Sequence, residues 1–155
     1  MQTLLTTIVM WLSINAGLPA SYEHPRVEFA SPAKMYAVRI GGHVSGDAPS
    51  SVATASHATP GNGGHHVEAL YDDRSRTIYL PAGWTGTTPK EVSLLVHEMV
   101  HHLQNVAGLK YVCAQAREAP AYVAQDKWLA LSGSNLRDEF KLDAFTVLVR
   151  TKCMH

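Results

Sequence analysis

Residues 90–104 read KEVSLLVHEMVHHLQ and carry His97, Glu98 and His101 in the order His-Glu-x-x-His. On a helix, side chains four apart share a face with Cβ atoms about 5–6 Å from each other, so the two imidazoles can grip one ion. Glu98 then projects beside them. The local signals agree on a helix: Thr88 is a cap, Pro89 suits the first helical position, and Glu91 completes a capping box. Val92, Leu95, Val96, Met99, Val100 and Leu103 recur at three- and four-residue steps, which predicts a buried helix, and Gly108 supplies the stop. His102 is expected to be an exposed neighbour.

A chain of 155 residues, 46% apolar and 17% charged, is long enough for one core. One domain is expected over residues 21–155, with a helical metal-site core over residues 87–150. Thirteen basic and thirteen acidic residues balance. No basic run interleaves with aromatics, which argues against nucleic acid or an anionic membrane surface as partner.

Residues 1–20, MQTLLTTIVMWLSINAGLPA, have an apolar centre and small residues near the end, as in a secretory signal peptide cleaved after Ala20. A buried N-terminal helix or an uncleaved anchor is the alternative. Two cysteines, Cys113 and Cys153, in an exported chain predict one disulfide, and two unlinked thiols are the other option. The expected location is periplasmic or secreted, with no membrane association after cleavage.

Ser31-Pro32 opens either a short helix through Arg39 or a stretch in which residues 35–40 form a strand. Residues 46–64, rich in Gly, Ser, Ala and Pro, read as a long loop. Residues 66–72 and 76–80 read as a β-hairpin around Asp73-Arg74-Ser75. His65 and His66 at its entrance are surface histidines by default, since adjacent strand residues point to opposite faces.

The segment CAQAREAPAYVAQDKWLAL suggests a second helix after a turn near residues 107–112. His101 lies about five residues before that turn and Glu118 about five after it, so an antiparallel pair of helices sets them level. Glu118 is the natural third ligand, with Glu91, Asp126 and Asp143 as rivals. Pro120 either kinks this helix or marks its beginning. A last helix is expected over residues 137–150, burying Phe140, Leu142, Phe145, Leu148 and Val149. The expected fold class is α+β: a small antiparallel hairpin, the metal-binding helix, and two further packed helices.

HEMVHHLQ followed by REAPAY resembles the gluzincins, the zincin metallopeptidases with a glutamate ligand, and small exported bacterial proteins of unknown function with the same pair of helices. The likeness covers about residues 87–131. It implies a minimal zincin-like domain with His97, His101 and Glu118 as Zn2+ ligands and Glu98 as general base. It also implies that the hairpin flanks the substrate. The acidic residue that often follows the ligand glutamate by four positions is here Tyr122, which leaves Asp126 or Asp143 to orient a ligand.

The residue chemistry points the same way. Catalytic zinc takes three protein ligands and lowers the pKa of a water to about 7. Two histidines and one glutamate meet that count, and Glu98 can accept the water's proton. Tyr111 and Tyr122 are candidate oxyanion donors. The expected activity is zinc-dependent hydrolysis of a peptide or protein substrate. The alternatives are hydrolysis of a non-peptide amide, and a non-catalytic, zinc-stabilised interaction module.

Overall fold

The computed structural model describes residues 1–41 and 68–153. His65, His66 and the loop read over residues 46–64 lie outside them. The described elements are α1 (Gln2–Ala16), β1 (Arg26–Ala30), α2 (Pro32–Arg39), β2 (Leu70–Asp72), β3 (Thr77–Pro81), α3 (Pro89–Val106), a 3-10 turn (Gln115–Arg117), α4 (Glu118–Ala130), α5 (Leu136–Phe140) and α6 (Ala144–Thr151). The fold is α+β.

α3 runs through the middle of the molecule, with every residue from Ser93 to Gln104 buried. Its start is fixed as the sequence predicts: Thr88 Oγ1 accepts from Glu91 N at 3.2 Å, and the Glu91 carboxylate accepts from Thr88 N. Its end is fixed by Gly108, whose positive φ of 63° lets Leu109 N turn back to the Gln104 carbonyl.

The sheet is mixed, in the order β1-β3-β2. The expected hairpin is present as β2 and β3, antiparallel with Leu70 opposite Tyr79. β1 adds a parallel strand, Arg26 opposite Thr77, which the sequence reading does not anticipate. Alternation gives the sheet two apolar faces. Tyr71, Ile78 and Leu80 join the main core with α3, whereas Leu70 and Tyr79 pack with Ala30 and Met35 under α2. α2 is the helical option for residues 32–39, with Ser31 Oγ accepting from Lys34 N.

α1 is the segment read as a signal peptide. Its Leu5, Ile8, Val9 and Leu12 are fully buried in the main core, and Trp11 meets Trp128 of α4 edge to face with ring centroids 5.1 Å apart. Cleavage after Ala20 would remove these side chains from the core. Among the described residues, no helix is long and apolar enough to cross a membrane.

The single C-terminal helix is corrected to two. Asn135 caps α5, Lys141 ends it at a φ of 58°, and the Asp143 carboxylate accepts from Thr146 N to start α6. The expected burial is corrected with it. Phe140 and Leu142 are buried, but Phe145 is 73% exposed, and Leu148 and Val149 are also exposed. Phe145 and Leu148 line an open groove of about 820 Å³ between α4 and α6. A disulfide joins Cys113 to Cys153, with Cα atoms 5.9 Å apart, and ties the end of α6 to the segment before α4.

Candidate metal centre

α3 and α4 bring His97, His101 and Glu118 together. His97 and His101 are one turn apart with ring centroids 5.0 Å from each other. Glu118 is the first residue of α4, so Pro120 stands in the first turn, where a missing N–H breaks no helical bond. His97 Nε2 lies 3.2 Å from Glu118 Oε2, and His101 Nε2 lies 3.3 Å from Glu118 Oε1. Among the described residues, these three are the group able to hold a metal ion, with ligand atoms all within 4.8 Å of one another. Both histidines are fully buried and Glu118 is 7% exposed.

Two glutamines fix how the imidazoles face. His97 Nδ1 is 2.9 Å from Gln125 Oε1, and the Gln125 amide donates to Ser93 Oγ. His101 Nδ1 is 3.1 Å from Gln104 Oε1, and the Gln104 amide donates to the Arg117 carbonyl. With each NH2 end committed to an acceptor, each glutamine oxygen must accept, so both Nδ1 atoms carry protons. Both Nε2 atoms are thereby aimed at the carboxylate. His101 Nε2 and Glu118 Oε1 are buried and have no hydrogen-bond partner. Imidazole lone pairs facing a carboxylate in a dry site repel unless a cation lies among them, so the donor set fits a metal ion or bound protons.

The electrostatics follow from this closeness. Burial opposes charge on His101, but the Glu118 carboxylate, helped by Glu98, outweighs it and raises the pKa. Burial pushes Glu118 up, yet His101 and His97 together hold it well below the usual carboxylate range. Glu98 is fully buried, and both His101 and Tyr122 feel its charge.

The chain matches the model of DUF6647, a domain of unknown function, over residues 1–155. The chain belongs to that family. No curated protein and no solved structure matches it.

The rival ligands are elsewhere. Glu91 is spent on the α3 cap, Asp126 Oδ1 accepts from Leu136 N at 2.9 Å, and Asp143 caps α6. Neither aspartate supplies the orienting group. Gln104 and Gln125 do; the place of Gln104 three residues after His101 on the same helix is a sequence signal for it, whereas Gln125 is on α4 and has no such spacing from His97. Tyr122 packs its ring 4.9 Å from that of His97, while its hydroxyl accepts from Arg150 at 3.2 Å. Tyr111 lies on the Gln104 and Arg117 side. His102 is corrected from exposed to fully buried.

Proposed function

We propose that this protein is a zinc-dependent hydrolase, a metallopeptidase of the gluzincin kind, acting on a peptide or protein outside the cytoplasm. The observation that carries the reading is the buried convergence of His97 Nε2, His101 Nε2 and Glu118 beside a fourth buried group, Glu98. Two imidazoles and one carboxylate are the donor set of a catalytic zinc site, which keeps a position open for water. When bound, zinc supplies Lewis acidity that brings the pKa of a water to about 7.

The chain's own residues do the rest. His97 and His101 present Nε2 because Gln125 and Gln104 hold Nδ1. Glu98 follows His97 in sequence and leaves the helix about 100° further round, so it is placed to take a proton without being a ligand. The same carboxyl would then deliver that proton to the leaving amine. The Cys113–Cys153 disulfide fits an oxidising, exported setting.

One observation favours a second reading, a metal-stabilised interaction module: His97, Glu98 and His101 are all fully buried. The substitution Glu98→Gln separates the two. General-base assistance is worth about 10²–10⁴-fold, so the variant should retain zinc and folding while peptide hydrolysis falls by at least about 10²-fold. A wild type that binds zinc but cleaves nothing in a broad peptide library, or a variant that cleaves as fast as wild type, defeats the enzyme reading.

A further inference from the structure

Arg117, immediately before Glu118, reaches across to the turn between β2 and β3. Its Nη1 and Nη2 donate to Asp73 Oδ2 and Oδ1 at 2.7 and 2.9 Å, a two-pronged ion pair with both side chains partly buried. The same guanidinium also turns toward α3. Nε approaches Gln104 Oε1 at 3.4 Å, and Nη2 approaches the His101 carbonyl at 3.5 Å. In return, Gln104 donates to the Arg117 carbonyl at 3.0 Å. The turn is itself tied to α3, because Asn105 donates to the Asp73 carbonyl at 2.8 Å and to Tyr71 Oη at 3.0 Å.

We propose that Arg117, held by Asp73, is the positioning residue of the candidate metal centre, setting His101 through Gln104 and Glu118 through the chain they share. This rests on the metal-site reading above. The geometry explains why one side chain governs two ligands. Glu118 stands on the first residue of α4, so its height against α3 depends on where Arg117 is pinned. His101 keeps its ring angle only while Gln104 Oε1 accepts from Nδ1, and Gln104 keeps its orientation only while the Arg117 carbonyl and guanidinium bracket it. A fork is required: two oxygens of Asp73 and one of Gln104 are met by three nitrogens in one plane, which lysine cannot do.

The test uses the whole protein stripped of metal and titrated with Co2+ and Zn2+. Loss of groups that orient metal ligands costs about 10–100-fold in affinity, and Arg117→Lys and Gln104→Met should each weaken binding by that factor. Gln104→Glu, which keeps an acceptor for His101 Nδ1 and gives Arg117 a carboxylate, should recover most of the affinity. Thr88→Ala destabilises the same helix at its far end without touching these groups, so it should lower the melting temperature and leave affinity as in wild type. A second readout needs no metal. Nitrogen-15 NMR of the metal-free protein should show a hydrogen-bonded Nδ1 proton on His101 in wild type, lost in Gln104→Met and Arg117→Lys. Wild-type affinity in both variants, or an unchanged Nδ1 proton, overturns the proposal. Should wild type bind neither ion, the metal reading falls, and the NMR result still decides the positioning claim.

Discussion

His101 and His102 are consecutive residues of one buried helix, and their rings carry the proton on opposite nitrogens. His101 Nδ1 donates to Gln104 Oε1. His102 Nδ1 instead accepts from Tyr71 Oη, which is itself accepting from Asn105, so His102 Nε2 is the donor, to the Glu23 carbonyl at 2.6 Å. Burial lowers the His102 pKa and keeps that ring neutral. One histidine offers a lone pair to the candidate metal centre, and its neighbour spends both nitrogens joining the sheet, and Glu23 ahead of β1, to α3.

His102 is accordingly structural. His102→Ala should remove one buried and one partly buried hydrogen bond and leave a cavity, which costs about 2–4 kcal/mol, while metal stoichiometry stays at the wild-type value. Thermal unfolding and elemental analysis on one preparation check both parts. Loss of metal at unchanged stability would reverse the assignment.

Glu118 and Glu91 give a paired expectation. Glu118→Gln removes the charge that the two Nε2 atoms face, and should lower zinc affinity by at least about tenfold. Glu91 is at the far end of α3 on the cap, so Glu91→Gln should retain wild-type affinity and lose stability instead. Isothermal titration of both variants decides it. Equal retention of zinc would require a different third ligand.

The α3 cap also sets an acid limit. Hydrogen bonds from the Thr85 backbone, together with the Thr85 and Thr88 hydroxyls, hold Glu91 down from 4.5 to about 2. Because the folded pKa lies below the unfolded one, this contribution is fully present above about pH 4.5 and is lost as pH falls toward 2. The melting temperature of wild type should therefore exceed that of Glu91→Gln at pH 7, and the gap should narrow between pH 4.5 and 2. A gap that widens on acidification would contradict the linkage.

The central helix α3 and the meeting of Glu118 with His97 and His101 are legible in the sequence because their signals are local or nearly so. Thr88, Glu91 and Gly108 mark the ends of α3; Glu118 does come level with His101, although α4 begins at Glu118 itself, after a connection over residues 107–117 that includes the 3-10 turn. The orienting groups were not legible. The sequence points to a carboxylate, and Gln104 and Gln125 serve instead, because an amide bears no charge to betray its role and only a folded network shows which end faces the ring. β1 is illegible for another reason: RVEFA is short, and its pairing joins residue 26 to residue 77 across much of the sequence. In the sequence α5 and α6 look like one helix because Phe140, Leu142 and Phe145 mimic a continuous apolar face, while the break rests on Lys141 and the Asp143 cap. From the sequence His102 looks exposed, since polarity alone cannot separate a solvated histidine from one with two partners in the fold.

The disulfide closes a loop with a sequence separation of 40. Closing such a loop restricts the unfolded chain and contributes about 3–4 kcal/mol. Cys113→Ser with Cys153→Ser should lower stability by that amount in denaturant melts. It should also loosen α6, which has no fully buried side chain of its own. Hydrogen exchange over Ala144–Thr151 should rise more than over α3. Uniform protection in the double variant would mean that α6 is held by its packing alone.

The N-terminal helix gives the sharpest structural test. Leu5, Ile8, Val9 and Leu12 are fully buried against the side chains that also pack α3 and α4, and Leu18 is nearly so. Burying one such side chain is worth about 1.5–3 kcal/mol, so the five together contribute on the order of 7–15 kcal/mol before chain entropy is subtracted. Removing them would also uncover the apolar side chains of α3 and α4 that pack in the same core. Loss of residues 1–20 should therefore unfold the protein or turn it into an aggregating, dye-binding state. Lys127 Nζ, which donates to the Asn15 carbonyl, and Trp128, which packs on Trp11, would lose their partners in α1 at the same time. A chain beginning at Ser21 should show no cooperative melt, and the intact mass of natively purified, folded protein should include α1. An exported form would then have to keep this helix through export. A truncated chain that melts cooperatively at the wild-type temperature and binds metal would instead show that α1 is dispensable and that residues 1–20 serve as a leader.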